Sequence, residues 1–111
     1  SAQQEAVRTQ LSFTLQCIVS QQLLRRIGGG RVLACELLMP NQAIRHLIRD
    51  DKTHQIYSQM QVGQHESGML TYNQCLVGLV RDKKITVEQA QNTSPDVQEI
   101  TKMLANLEAE V

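Results

Sequence analysis

Aromatic residues are nearly missing from this chain: they make up 3% of its 111 residues, and there is no tryptophan. Its core must therefore be assembled from Leu, Ile, Val and Met. An excess of charge of one sign is also lacking, since 11 basic residues balance 11 acidic ones. Such neutrality argues against a dedicated nucleic-acid binder, whose affinity rests on neutralising phosphates, and against a strongly basic membrane-surface domain. No apolar run approaches the roughly 20 residues of a membrane span, and no signal peptide is recognisable. Cysteine is sparse. Cys17, Cys35 and Cys75 are odd in number and widely spaced, without a CxxC pair or a disulfide framework, which points to a reducing cytoplasm.

What is present fits a globular chain. Hydrophobic residues reach 41%, too many for a disordered segment. The length suits one domain or part of a larger one, able to bury roughly two-thirds of its unfolded surface. Basic residues crowd the first half at Arg8, Arg25, Arg26, Arg31, Arg45 and Arg49, while Asp96, Glu99, Glu108 and Glu110 make the tail acidic. Ser1-Ala2 reads as an expression scar, and the chain is expected to be a piece of something longer.

Along the chain, Val7, Leu11, Leu15, Ile18 and Val19 recur at helical spacing and predict an amphipathic helix over 5–19. Segments 20–26 and 31–39 flank Gly28-Gly29-Gly30, which allow the positive φ of a chain reversal. They predict a β-hairpin whose second strand, apolar on both faces, is buried on both sides. A lone hairpin is marginal in water, and its edges call for a further strand. Pro40 ends the strand and Asn41 caps the next helix. Thr53 is expected to cap a short helix stopping at Gly63, with a polar loop over 63–70. Thr71/Gln74 and Thr86/Gln89 match capping boxes. Ser94-Pro95 reads as an N-cap with proline at the first helical position. The expected fold class is α+β and mainly α-helical: an N-terminal amphipathic helix, one hairpin, then four to five short helices.

The chemistry-bearing residue types do not assemble into a phosphate or metal site. A P-loop needs G-x-x-x-x-G-K-[ST], with amides for phosphates, Lys for charge and a hydroxyl for magnesium. Gly28-Gly29-Gly30 is followed by Arg31 and Val32, so the turn reading holds and no complete ATP site is expected. His46, His54 and His65 are too scattered for a zinc set, and the cysteines read as buried or half-buried thiols. The informative segment is Ala43-Ile44-Arg45-His46-Leu47-Ile48-Arg49-Asp50. Arg45 and Arg49 are one turn apart, so a helix docked by Ala43, Ile44, Leu47 and Ile48 would present two permanent cations outward. A solvated face, with Asp50 and Asp51 pairing locally, is the plainer alternative.

This segment resembles the AIRNLIRE motif of PilT-like twitching-motility ATPases, members of the type II/IV secretion ATPase superfamily. His46 stands where that motif has Asn, and Asp50 where it has Glu. Val7-Arg8-Thr9-Gln10-Leu11-Ser12, Ile18-Val19-Ser20-Gln21-Gln22-Leu23-Leu24, Gly30-Arg31-Val32-Leu33-Ala34 and His54-Gln55-Ile56-Tyr57-Ser58 are similar to the C-terminal third of that family. The likeness keeps its order from about Val7 to Ala90. Arg25 stands where family members carry proline.

The resemblance implies the C-terminal end of a RecA-like ATPase domain. Residues 1–40 would be the end of the ATPase core, and 41–111 a helical subdomain carrying the motif. It implies a parent that hydrolyses ATP with Mg to retract type IV pili, as a homohexamer. That parent would be cytoplasmic, peripheral to the inner membrane, and in contact with pilus machinery proteins there. The isolated chain is expected to be inactive and to hold no cofactor itself. Ala43 to Asp50 become candidates for subunit or partner contacts that transmit motion. Arg8 becomes a candidate facing nucleotide or a neighbouring subunit, against a plain surface salt bridge. The substituted His46 places an imidazole where the family motif has an amide. The alternative is a free-standing helical protein-interaction module without ATPase activity. A DNA-binding reading, from the short helices between Thr71 and Asn92, requires binding that weakens steeply with salt; no nucleic-acid partner is expected.

Overall fold

The computed structural model describes residues 1–109, with side chains described outside 63–67. The elements are α1 (Ala2–Thr14), β1 (Ile18–Arg25), β2 (Arg31–Leu38), α2 (Gln42–Arg49), a 3-10 turn (Thr53–Gln55), α3 (Ile56–Ser67), α4 (Tyr72–Arg81), α5 (Val87–Thr93) and α6 (Val97–Ala109). The chain is mainly helical with one two-stranded antiparallel hairpin, as expected. It forms two compact units: Ser1–Val19 with Leu37–Thr71, and Ser20–Glu36 with Tyr72–Val111. This grouping by packing cuts the chain differently from the 1–40 and 41–111 division read from the sequence.

In the first unit, Leu38, Ile44, Ile48, Met60 and Met69 form the core, with Leu15 and Ile56 packed against it. The N-terminal helix is shorter than its periodicity predicts. It ends at Thr14, Leu15 is extended, and Ile18 and Val19 belong to β1. Both are β-branched and lose χ1 freedom in a helix, so pairing with β2 draws them into a strand. The helix also presents the opposite face to the one expected. Val7 and Leu11 are exposed at 63% and 45%, whereas Ser12 is buried. The Ser12 hydroxyl donates to the Thr9 carbonyl at 2.6 Å, satisfying it within the helix.

Asn41 caps α2 as predicted, its Oδ1 accepting from the Ile44 amide at 2.9 Å. The helix ends in a Schellman motif, with Lys52 N–H donating to Leu47 O and Asp51 N–H to Ile48 O. That motif forces Asp51 to a φ of 58°. Two readings of the next stretch are corrected. Thr53 lies inside the 3-10 turn, and no side-chain cap bond precedes that turn or α3. The helix passes Gly63 and ends at Gly68, whose φ of 73° makes it the left-handed cap. A glycine inside a helix costs only about 1 kcal/mol relative to alanine, so Gly63 is no stop by itself. Leu70 then pairs with Leu37 through two backbone bonds of 2.8 and 3.0 Å.

In the second unit, Leu24, Ala34, Leu76, Ile85, Ala90, Ile100 and Leu104 make the core, with Val32, Tyr72 and Cys75 among those packed on it. The aromatic-poor composition is met by aliphatic packing. The glycine turn is the hairpin reversal: Arg26 N–H donates to Gly30 O and Gly29 N–H to Arg26 O, with Gly28, Gly29 and Gly30 all at positive φ. From this register, odd-numbered residues of both strands turn their backbone groups away from the partner strand. On β2, Cys35 N–H meets the Cys75 sulfur and Leu37 meets Leu70. On β1, the Gln89 amide donates to Arg25 O at 2.8 Å and accepts from Arg25 N–H at 3.0 Å. Among the described residues no strand pairs with β1 at Val19, Gln21 or Leu23. Burial on both sides is also corrected. Ala34 and Leu38 are buried, while Leu33 is exposed and Leu23 is 61% exposed.

Two more caps differ from the sequence reading. Thr86 caps α5 by accepting from Gln89 N–H at 3.1 Å, but the Gln89 side chain goes to Arg25 instead of completing a box. Ser94 closes α5, and Asp96, not Ser94, accepts from Glu99 N–H at 3.1 Å at the start of α6. The Ser94 hydroxyl donates to Oδ1 of buried Asn73 at 2.5 Å, and its oxygen accepts from the Asp96 N–H at 3.0 Å. Asn73 Nδ2 donates to Asp96 O at 3.2 Å and Glu99 Oε1 at 3.0 Å. One amide thus ties α4 to the α5–α6 turn. Replacing Asn73 with Ala is expected to lower stability by about 2 kcal/mol, since three part-buried hydrogen bonds are lost; urea unfolding reads this. Helix α4 ends in the same Schellman geometry, with Lys83 at a φ of 60°. Lys83→Gly is expected to raise stability by about 0.5–1 kcal/mol, because glycine meets no Cβ clash there.

Candidate functional site

Helix α2 is the site the sequence singles out, and its local chemistry determines how it sits. Ile44 is fully buried and Ile48 nearly so; one helical turn apart, they point into the core of the first unit. Leu47 is half-buried, while Ala43, on the apolar side of the wheel, is exposed. The two arginines have different fates. Arg45 does not face outward. One of its guanidinium nitrogens donates to the Ser12 carbonyl at 2.7 Å and to the Leu15 carbonyl at 3.2 Å.

The cause lies in α1. The last carbonyls of a helix lack intrahelical partners and carry the negative end of its dipole. The last turn of α1 contains no basic residue. Arg45 supplies that cation from another helix, and a single terminal nitrogen reaches both oxygens. Arg49 is the outward one. Its Nε lies 3.5 Å from Asp50 Oδ1, and a terminal nitrogen contacts His46 Nδ1. As arginine can only donate, His46 Nδ1 is the acceptor in this arrangement. His46, Arg49 and Asp50 are exposed and form a polar ridge.

Arg8 reaches the end of the same helix. Its guanidinium lies 3.9 Å from the Asp51 carboxylate, a loose and partly solvated pair. Its Nε is buried without a hydrogen-bond partner. With Gln3, Gln4 and Val7 it lines an open concavity on α1. The structure thus gathers Arg8 and the Ala43–Asp50 segment into one unit, joined through α1–α2 packing. Ser12 and Leu15, whose carbonyls hold Arg45, were not legible as site residues. A backbone acceptor leaves no side-chain signature.

The glycine turn does not fit the phosphate cradle of a P-loop. Two amides at the turn are engaged: Gly29 N–H by Arg26 O, and Ile27 N–H by Lys84 O at 2.8 Å. Arg31 and Val32, which follow, offer neither the lysine nor the hydroxyl of a phosphate cradle. Among the described residues, no three His, Cys, Asp or Glu side chains converge; the side chain of His65 lies outside them. No helix is long and apolar enough to cross a membrane.

No protein-family model matches the chain. Over 85 residues, however, it is 48% identical to the type IV pilus retractation ATPase PilT of Pseudomonas aeruginosa, covering 77% of this chain and 24% of that protein. The twitching motility protein of Neisseria gonorrhoeae is 45% identical over 92 residues, covering 82% of this chain and 24% of the relative. A crystal structure of the pilus retraction motor PilT with bound ADP superposes with a TM-score of 0.79 at 53% identity, over 91% of this chain and 27% of that one. The chain is a homologue of part of the PilT-like pilus-retraction proteins. It spans about a quarter of the length of the curated relatives it matches.

For this PilT-like segment, the two arginines of α2 are expected to separate in a stability measurement. Arg45→Ala removes two charge-assisted bonds to helix carbonyls and is expected to cost about 1–3 kcal/mol. Arg49→Ala, at an exposed ridge, is expected to stay within about 0.5 kcal/mol of the parent chain. Equal losses in denaturant unfolding would refute the assignment of Arg45 to α1.

Proposed function

We propose that this chain serves as the C-terminal part of a PilT-like ATPase that powers type IV pilus retraction. The observation that carries this reading is the 45–53% identity to PilT and a twitching motility protein, together with the matching fold. In this proposal, ATP and Mg act in the whole protein and are held by residues outside this chain. The whole protein works as a homohexamer in the cytoplasm, against the inner membrane and its pilus machinery. Residues 1–40 would end the RecA-like core, and 41–111 would form the helical subdomain.

Two physical features support a role as one part of a larger assembly. The outer edge of β1 lacks a paired strand among the described residues at Val19, Gln21 and Leu23, which suits extension of a sheet. Val7, Leu11 and Phe13 of α1 are exposed, which suits burial against further chain. Within the motif the roles divide. Arg45 positions α2 against α1, and the His46–Arg49–Asp50 ridge makes the subunit or partner contact that passes on motion. Arg8, with its unpaired Nε, would face nucleotide or a neighbouring subunit. A free-standing interaction module is the competing reading, favoured by the separate closed core of each unit.

The isolated chain is expected to show no ATP turnover above background. Joined to the upstream part of a PilT-like protein, it is expected to restore turnover. In the joined protein, Arg49→Ala is expected to slow retraction several-fold while nucleotide affinity stays unchanged. Turnover by the isolated chain at rates typical of ATPases, about 1 per second or more, would overturn the proposal. An equal loss of nucleotide affinity in Arg49→Ala would move that residue to the ATP site.

A further inference from the structure

Cys35 lies on the outward-turned edge of β2, and Cys75 on the facing side of α4. The Cys35 N–H donates to the Cys75 sulfur at 3.3 Å. This contact brings together two thiols 40 positions apart in sequence. A sulfur held this close to the partner's backbone nitrogen is compatible with the short Cβ–Cβ span that a disulfide bridges. Both cysteines are half-buried, whereas Cys17 is exposed. Burial is the main cause raising the Cys75 pKa. The Cys35 backbone N–H opposes this, while the charge and hydrogen bond of the Cys35 thiol add to it. The neighbouring charged group is Glu36, whose carboxylate accepts from the Tyr72 N–H at the start of α4.

We propose that Cys35 and Cys75 are a redox pair, closing an intrachain disulfide when a small-molecule disulfide oxidises them. The Cys35 thiolate attacks one sulfur of the oxidant, breaking its S–S bond and releasing one small thiolate, which takes up a proton. The mixed disulfide on Cys35 is then attacked by Cys75, which has given its proton to solvent. The new Cys35–Cys75 bond forms as the second small thiol leaves. Two protein thiols are oxidised by two electrons, and one disulfide is reduced to two thiols. The bond staples β2 to α4 within the second unit. It closes the loop between the two positions and restricts the unfolded chain. The inference is independent of the retraction reading, because it concerns chemistry inside one unit of this chain.

The test uses the full 111-residue chain carrying Cys17→Ser, treated with excess oxidised glutathione. Free thiols titrated in denaturant are expected to fall from two to none. The mass should drop by two hydrogens without a glutathione adduct, the product should remain uncrosslinked between chains, and the thermal midpoint should rise by about 5 °C or more. Cys35→Ser and Cys75→Ser, each in the same background, are expected to stop at one stable glutathione adduct with no rise in midpoint. Two thiols still titratable after treatment, one adduct on each cysteine, or a covalent dimer would each overturn the pair. Cys35→Ser keeps the packed Cys75 in place, so the single-thiol comparison does not depend on refilling a buried position.

Discussion

A two-stranded hairpin consists entirely of edges, and the rest of this structure is arranged around that constraint. Each strand has one row of backbone groups with no partner strand, and burying them unpaired is costly. The chain meets the need piecemeal. In the first unit, Leu37 exchanges two bonds with Leu70. In the second, Cys75 receives the Cys35 N–H, Gln89 matches both backbone groups of Arg25, and Lys84 receives the Ile27 N–H. A side-chain amide offers the same donor–acceptor pair as a peptide group, which is why Gln89 can stand in for a neighbouring strand. The outer edge of β1 beyond Arg25 has no such substitute among the described residues.

The same logic of unsatisfied backbone explains Arg45. A helix ending without its own cation leaves carbonyls that a neighbouring arginine can reach, and α1 is such a helix. The apolar stripe of α2 holds the helix on its core, and Arg45 fixes it against α1. His46, Arg49 and Asp50 are left in solvent. The eight residues thus present three faces, two of them engaged within the chain. Their outward chemistry is smaller than a count of arginines suggests.

The apolar residues left outside fit the incomplete match in length. Val7, Leu11, Phe13, Val19 and Leu23 are exposed. The chain spans about a quarter of the length of the relatives it matches.

Much of the fold was legible where the deciding physics is local. Asn41 after Pro40, the three glycines of the turn and Thr86 before α5 act on backbone groups within a few residues, and each stands where its pattern places it. The sequence also carried the likeness to PilT and the mainly helical class with one hairpin. Errors came where a distant partner competed with the local one. Ile18 and Val19 kept helical spacing yet joined a strand. Gln89 left its box for Arg25, and Asp96 took the Glu99 N–H at the start of α6 while Ser94 closed α5 and bonded buried Asn73. The inward turn of Arg45 and the meeting of Cys35 with Cys75 had no local mark at all. The sequence by itself determined where α2, α5 and the hairpin turn begin, because Asn41, Thr86 and the glycines act over one turn of chain. Only the tertiary structure decided which arginine is free and which cysteines meet, because those outcomes depend on backbone groups brought close by packing.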